Sequence, residues 1–250
     1  RDTAGTGGTA GPAVTQARRL LAVWLLALVA LQGFFALRIL TMRWLAPQST
    51  AFQRSEAVRL LRDKHELLWS QSWVDDEQLP KTLKRAVIAS EDDLFASHDG
   101  VRWDAVKQAW QKNEKAQARA EARGQAAAKL AGGSTITQQL AKNLFLSSER
   151  NFVRKGQELL LTLMLEALLD KRRILEIYLN SVEWGEGLFG AQAAARHYFH
   201  VDAARLGAFE AARLAVMLPA PKKFEKSPAS AYVLGRAGTI TARMNDVQLP

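Results

Sequence analysis

Leu159-Leu160-Leu161-Thr162-Leu163-Met164-Leu165-Glu166-Ala167-Leu168-Leu169 is apolar around most of a helical circumference, broken only by Thr162 and Glu166. A helix of that kind is expected to be buried on all sides, as the central helix of a core. Its eleven residues are too few to cross a bilayer, which takes about 20. The stretch lies within Asn151 to Asn180, long enough for one helix or two joined ones. Upstream, Phe52 to Trp69 is amphipathic, Pro80 opens a helix through Leu83, Val87 and Ile88, and Ile136 to Leu146 reads as a short helix. Downstream, Gly185, Gly187 and Gly190 mark a loop before helices at Ala191 to Phe199 and Ala208 to Leu218, with Pro219 and Pro221 as the stop. No stretch keeps a two-residue alternation, so strands should be few and short. The expected fold class is mostly α.

The front of the chain has a different character. Residues 1–17 are rich in Gly, Thr and Ala and read as a disordered tail. Arg18-Arg19 then precede Leu20 to Leu37, an apolar run in which Gln32 and Gly33 are the interruptions. Eighteen helical residues rise roughly 27 Å, enough to cross a bilayer core. A buried core helix and a cleaved signal peptide are the alternatives. The run is longer than the usual signal and lacks a clear small-residue cleavage site, which favours an uncleaved anchor over residues 18–44. Arg38 and Arg43 balance Arg18 and Arg19, so charge does not set its orientation. Residues 45–250 are left for one domain.

With 34 Lys and Arg against 25 Asp and Glu, the formal charge of +9 favours an acidic partner: nucleic acid, anionic lipid or a phosphorylated substrate. Cysteine is absent, which excludes disulfides and thiolate metal sites. Lys107 to Lys129 has helix propensity but little apolar surface, and reads as a solvated helix or linker before it reads as a contact for anionic lipid.

Four stretches could carry chemistry. In Glu91-Asp92-Asp93-Leu94-Phe95-Ala96-Ser97-His98-Asp99-Gly100, three carboxylates follow an apolar helix, at an end that disfavours negative charge. A carboxylate there can serve as a general base, although taken alone the pattern is better explained as a solvated acidic turn. Gly132-Gly133-Ser134-Thr135-Ile136-Thr137-Gln138-Gln139 lets backbone approach a ligand and opens a helix whose free N–H groups suit a phosphate, with Lys142 a turn further on. Arg150, Arg154 and Glu158 fall on one helix face beside Lys155. Lys171 to Asn180 reads mainly as packing and charge pairing. His197 and His200 have no third ligand nearby, so no metal site is expected. There is no GxGxxG, GxxxxGK[ST] or GxSxG.

Taken in order, these stretches resemble the peptidoglycan glycosyltransferases, the penicillin-binding-protein type of cell-wall polymerase (glycosyltransferase family 51). Glu-Asp-x-x-Phe-x-x-His-x-Gly is met from Glu91 to Gly100 and Gly-Gly-Ser-Thr-Ile-Thr-Gln-Gln from Gly132 to Gln139, with Lys-Asn-Leu-Phe following at Lys142 to Phe145. Arg-Lys-x-x-Glu is met at Arg154, Lys155 and Glu158, and Lys-Arg-x-Ile-Leu-x-x-Tyr-Leu-Asn from Lys171 to Asn180. The likeness covers roughly Leu79 to Met244. Arg102 and Gly207 depart from it, at positions the family does not use for chemistry.

The resemblance implies a lysozyme-like helical glycosyltransferase domain behind a single transmembrane helix, of the monofunctional biosynthetic form. It implies lipid II and a lipid-linked glycan as substrates, with Glu91 and Glu158 as catalytic residues. Asp92, Ser134, Thr135, Gln138, Gln139, Lys142, Arg150, Arg154, Lys155 and Arg236 become the substrate-binding candidates. No cofactor is required on this view, although a divalent cation (Mg or Mn) could assist the diphosphate. The membrane and cell-division or penicillin-binding proteins are the expected partners, nucleic acid is not, and the expected place is the bacterial inner membrane with the domain facing the periplasm. A glycan-cleaving lysozyme-like enzyme and a catalytically dead membrane scaffold are the rival readings.

Overall fold

A computed structural model of the chain describes residues 12–122, 133–146 and 152–250. It opens on α1 (Pro12–Thr41), of which Thr15–Thr41 is long and apolar enough to cross a membrane. The helix starts at Pro12, inside the stretch expected to be a tail; residues 1–11 of that tail lie outside the described residues. Leu20, Trp24, Val29 and Leu37 are exposed along α1, but its end is not: Ile39 and Met42 lie in the core at 0% and 3% exposure.

After α1 come α2 (Ala51–Lys64), β1 (Ser70–Gln71), α3 (Lys81–Glu91) and α4 (Trp103–Ala122). α2 is capped by Thr50 and stops well short of Trp69, because His65 turns left-handed (φ 57°) and ends it. α4 is exposed at all its described side chains but Ala116, which is half-buried, and residues 123–129 of the 107–129 segment lie outside the described residues. α5 (Ile136–Phe145), α6 (Phe152–Leu168) and α7 (Lys171–Ser181) follow, so Asn151 to Asn180 holds two helices, with Asp170 capping the second. β2 (Glu183–Gly185) and β3 (Leu188–Phe189) form a hairpin where a loop was expected. β1 joins it in parallel, giving the order β1-β3-β2. Gly187 makes the joint possible: it sits at φ +69°, and a Cβ there would lie 1.9 Å from the Leu68 carbonyl oxygen. The chain closes with α8 (Ala191–Phe199), α9 (Ala208–Met217), α10 (Pro221–Phe224) and α11 (Ala231–Arg243). Pro221 begins α10 rather than only ending its predecessor.

α3 packs on α9 and α11, and α5 lies between α6, α7 and α2. Leu83, Val87, Phe95, Leu140, Leu161 and Tyr178 are fully buried in this core. α6 is not buried on all sides as expected. Leu161 and Leu165 are fully buried, yet Leu160 and Leu163 are 47% and 48% exposed. Its inner face meets α5, while another side lies against the exposed apolar helix α1.

Two ion networks brace the frame. Asp76 takes Lys84 at 2.7 Å and Arg172 at 2.6 Å. Lys222 reaches from α10 to Glu56 and, at 3.6 Å, to Glu183. Burial raises the Glu183 carboxyl to about 7, against the opposing pull of Lys222.

Candidate active site

Glu91 is the last residue of α3 and Asp92 its cap, so the helix runs on into the first of the carboxylates that were expected to follow it. The two neighbouring carboxylates face different partners. Asp92 is 4% exposed. It accepts the Ile136 N–H (3.1 Å) at the start of α5, together with His98 Nε2 (2.9 Å). The Gly100 N–H donates to His98 Nδ1 at 3.0 Å, so the ring proton is on Nε2 and points at Asp92. Thr135 donates its hydroxyl to the Gly100 carbonyl (2.6 Å) and shares a capping box with Gln138. Gly100 (φ +83°) admits no side chain: a Cβ would lie 2.7 Å from Glu166 Cγ. Glu166 in turn accepts from Thr137 and Lys171, and the Lys171 ammonium lies 4.6 Å from the Phe95 ring centre. The end of α3 is thus clamped onto the start of α5 by buried polar bonds.

That clamp presents Glu91. Its Oε2 accepts from Gln139 Nε2 at 3.0 Å, and Gln139 Oε1 accepts the Tyr178 hydroxyl at 2.9 Å. Among the described residues no cation bonds to Glu91. Burial pushes its carboxyl above the usual carboxylate range and the charge on Asp92 adds to this, with bonds from Gln139 and Ser90 working the other way. Tyr178 is fully buried, and its phenol is held well above its ordinary value by desolvation and then by Glu91 and Asp92. It therefore stays protonated and fixes which way the Gln139 amide points.

Glu158 on α6 has the opposite surroundings. At 3% exposure it pairs with Arg154 (3.0 Å) and with Lys155. Lys142 is exposed on α5, one turn beyond Gln139, and Ser134 is exposed just before that helix.

The candidates therefore divide. Glu91, Gln139 and Tyr178 form one bonded chain, and Arg154, Lys155 and Glu158 form a second cluster. Asp92, Thr135 and Gln138 are buried: Asp92 meets His98 and the Ile136 N–H, the Thr135 hydroxyl meets the Gly100 carbonyl, and Gln138 accepts the Thr135 N–H. Arg236 is exposed on α11 and makes no bond to either carboxylate. Arg150 and Gly132 lie outside the described residues. Tyr178 was missed, although it stands inside the Lys171 to Asn180 stretch. A buried Tyr needs a hydroxyl partner, and that was the available signal. Among the described residues no group of three or more His, Cys, Asp or Glu is placed to hold a metal ion.

The sequence profile of the transglycosylase family matches residues 63–245. The biosynthetic peptidoglycan transglycosylase of Burkholderia ambifaria (strain MC40-6) is 52% identical over 224 residues, which cover 90% of this chain and 87% of that protein. Its namesake in Burkholderia multivorans (strain ATCC 17616 / 249) is 51% identical over 229 residues, covering 92% and 89%. With the motifs, the helical fold and a profile spanning most of its length, the chain belongs to the transglycosylase family.

Proposed function

We propose that this peptidoglycan glycosyltransferase polymerises lipid II into linear glycan, with Glu91 as the base of an inverting transfer. Glu91 removes the proton from the acceptor sugar's 4-hydroxyl as that oxygen bonds to the donor's anomeric carbon. The bond from that carbon to the diphosphate breaks on the far face, and polyprenyl diphosphate leaves with the electron pair. The new linkage is β-1,4, and Glu91 then returns its proton to water.

The environment of Glu91 carries this reading. A base must be ionised yet willing to take a proton, and a desolvated carboxylate held by a neutral amide meets both needs. The base half of an inverting glycosidase works alike. The leaving group differs, because a diphosphate needs charge compensation and not a proton. Arg154 and Lys155 are suited to that, as are Lys142 and Arg150, with Glu158 holding the first two in place. Ser134 would meet the diphosphate at the α5 N-terminus, and Arg236 is the more remote candidate. α1 would keep the domain at the inner membrane, on its periplasmic side, where a substrate tied to the bilayer by its lipid is within reach.

The test is to incubate the purified full chain, in lipid vesicles, with lipid II. Long glycan and free polyprenyl diphosphate are expected. Fragments released from finished peptidoglycan, with no polymer formed from lipid II, would overturn the reading.

A further inference from the structure

Gln32 is the strongly polar side chain in the apolar run of α1, nine residues before Thr41 and so roughly 13 Å inside the end of the apolar span. An amide at such a depth is costly unless it is bonded. It is bonded twice: Gln32 Nε2 donates to Gln157 Oε1 at 3.0 Å, and Gln157 Nε2 donates back to Gln32 Oε1 at 3.0 Å. A reciprocal amide pair fixes rotation and register between two helices at once, which apolar contact alone does not do. Gln157 adjoins Glu158 and lies one turn after Arg154 on α6, so holding its amide against α1 sets the rotation of α6 about its axis and with it the direction in which Arg154 and Glu158 point.

Two further contacts join α1 to the helices of the site. Phe35 meets Phe145 edge-on, with ring centres 5.4 Å apart, at the end of the helix that carries Gln139 and Lys142. Arg173, on the helix that carries Tyr178, donates to the Met42 carbonyl at 2.8 Å. These two are packing and backbone contacts of the kind any buried helix end makes. The amide pair is different, because it is specific in register and touches the helix of the cation cluster.

We propose that Gln32 and Gln157 are positioning residues for catalysis: through their paired amides the membrane helix sets the placement of the Arg154–Glu158 cluster. The proposal rests on the role given above to that cluster.

Methionine matches glutamine in length and helix propensity but cannot form the paired bonds, so Gln32→Met, Gln157→Met and the double variant are the test. Misplacing a reacting group by 1 Å can cost about a hundredfold; a loosened helix should cost about tenfold. Each single variant is expected to lower kcat for lipid II polymerisation about tenfold, with KM within twofold of wild type. Thermal midpoint and membrane attachment should be unchanged. The double variant should be no slower than either single one, since one interaction is lost in all three. The proposal is overturned if both single variants keep kcat within twofold of wild type. It is overturned too if the two losses multiply, or if kcat falls only as the protein melts or detaches. Glu158→Gln in the same assay separates the underlying reading: wild-type turnover in that variant would remove the cation cluster from the mechanism, whatever the methionine variants do.

Discussion

Two carboxylates, the half-buried Glu91 and the buried Glu158, sit on helices that belong to one core and yet have opposite chemistry. Glu91 is held by an amide, next to another carboxylate, and its affinity for a proton is raised. Glu158 is held by Arg154 and Lys155, so its charge is matched inside the protein. Loss of solvent is common to both, and it is the neighbours that separate a group able to exchange protons from one that holds cations in place. A carboxylate in an active site is thus better read from its hydrogen-bond donors than from its depth.

The sharpest way to break this contrast is Glu91→Gln. Loss of a general base typically costs 10²–10⁴-fold, so polymerisation should fall by about a thousandfold or more. Because a desolvated charge is removed as well, the variant should melt no lower than wild type at pH 8. An unchanged rate would deny Glu91 the base role. Next in size is Arg154→Met, which leaves Glu158 with Lys155 as its partner. Removing one electrostatic stabiliser of a leaving group costs on the order of a hundredfold, and a matching Glu158→Gln change in the same chain should recover part of the fold's stability but none of the activity. Recovery of activity would make the pair structural.

Glu183 sharpens the contrast from outside the site, being buried like Glu158, with Lys222 at 3.6 Å. Its carboxyl is raised to about 7 in the folded protein, against the ordinary 4.5. The folded state therefore binds the extra proton, and the stability it supplies is present below about pH 4.5 and lost as pH rises through 7. The difference corresponds to roughly 3–4 kcal/mol. Thermal midpoints measured from pH 5 to pH 8 should fall more steeply for wild type than for Glu183→Gln, and parallel curves would mean the side chain is better solvated than its burial suggests. The smallest effect is expected from Gln139→Met. The lost bond favours the charged form of Glu91, so the acid limb of kcat/KM should move to higher pH. A shift to lower pH would mean that Gln139 donates elsewhere during turnover.

Much of this was legible in the sequence. The apolar run marked α1 through its local composition, and the motif stretches singled out Glu91, Arg154, Lys155 and Glu158 as candidates through their likeness to the family. Pairings across the chain were not legible. Nothing at Thr135 announces that its hydroxyl will bond Gly100, 35 positions away. Tyr178 looked like packing for the same reason, since its partner Gln139 lies on another helix. The burial of α6 was overestimated because an apolar circumference states what a helix avoids and not what covers it. His65 ended α2 through a left-handed turn that glycine usually signals, so the boundary was invisible.

The end of α1 has a consequence for how this protein can be cut and recombined. Ile39 and Met42 are core side chains, and the Met42 carbonyl receives Arg173. A fragment starting at residue 45, the obvious place to trim for solubility, would lack all three and would fold around two vacancies. Grafting on another protein's span would succeed only if its last turns brought apolar side chains to those two positions. The smallest piece that can be exchanged between relatives is the span together with the domain it plugs into.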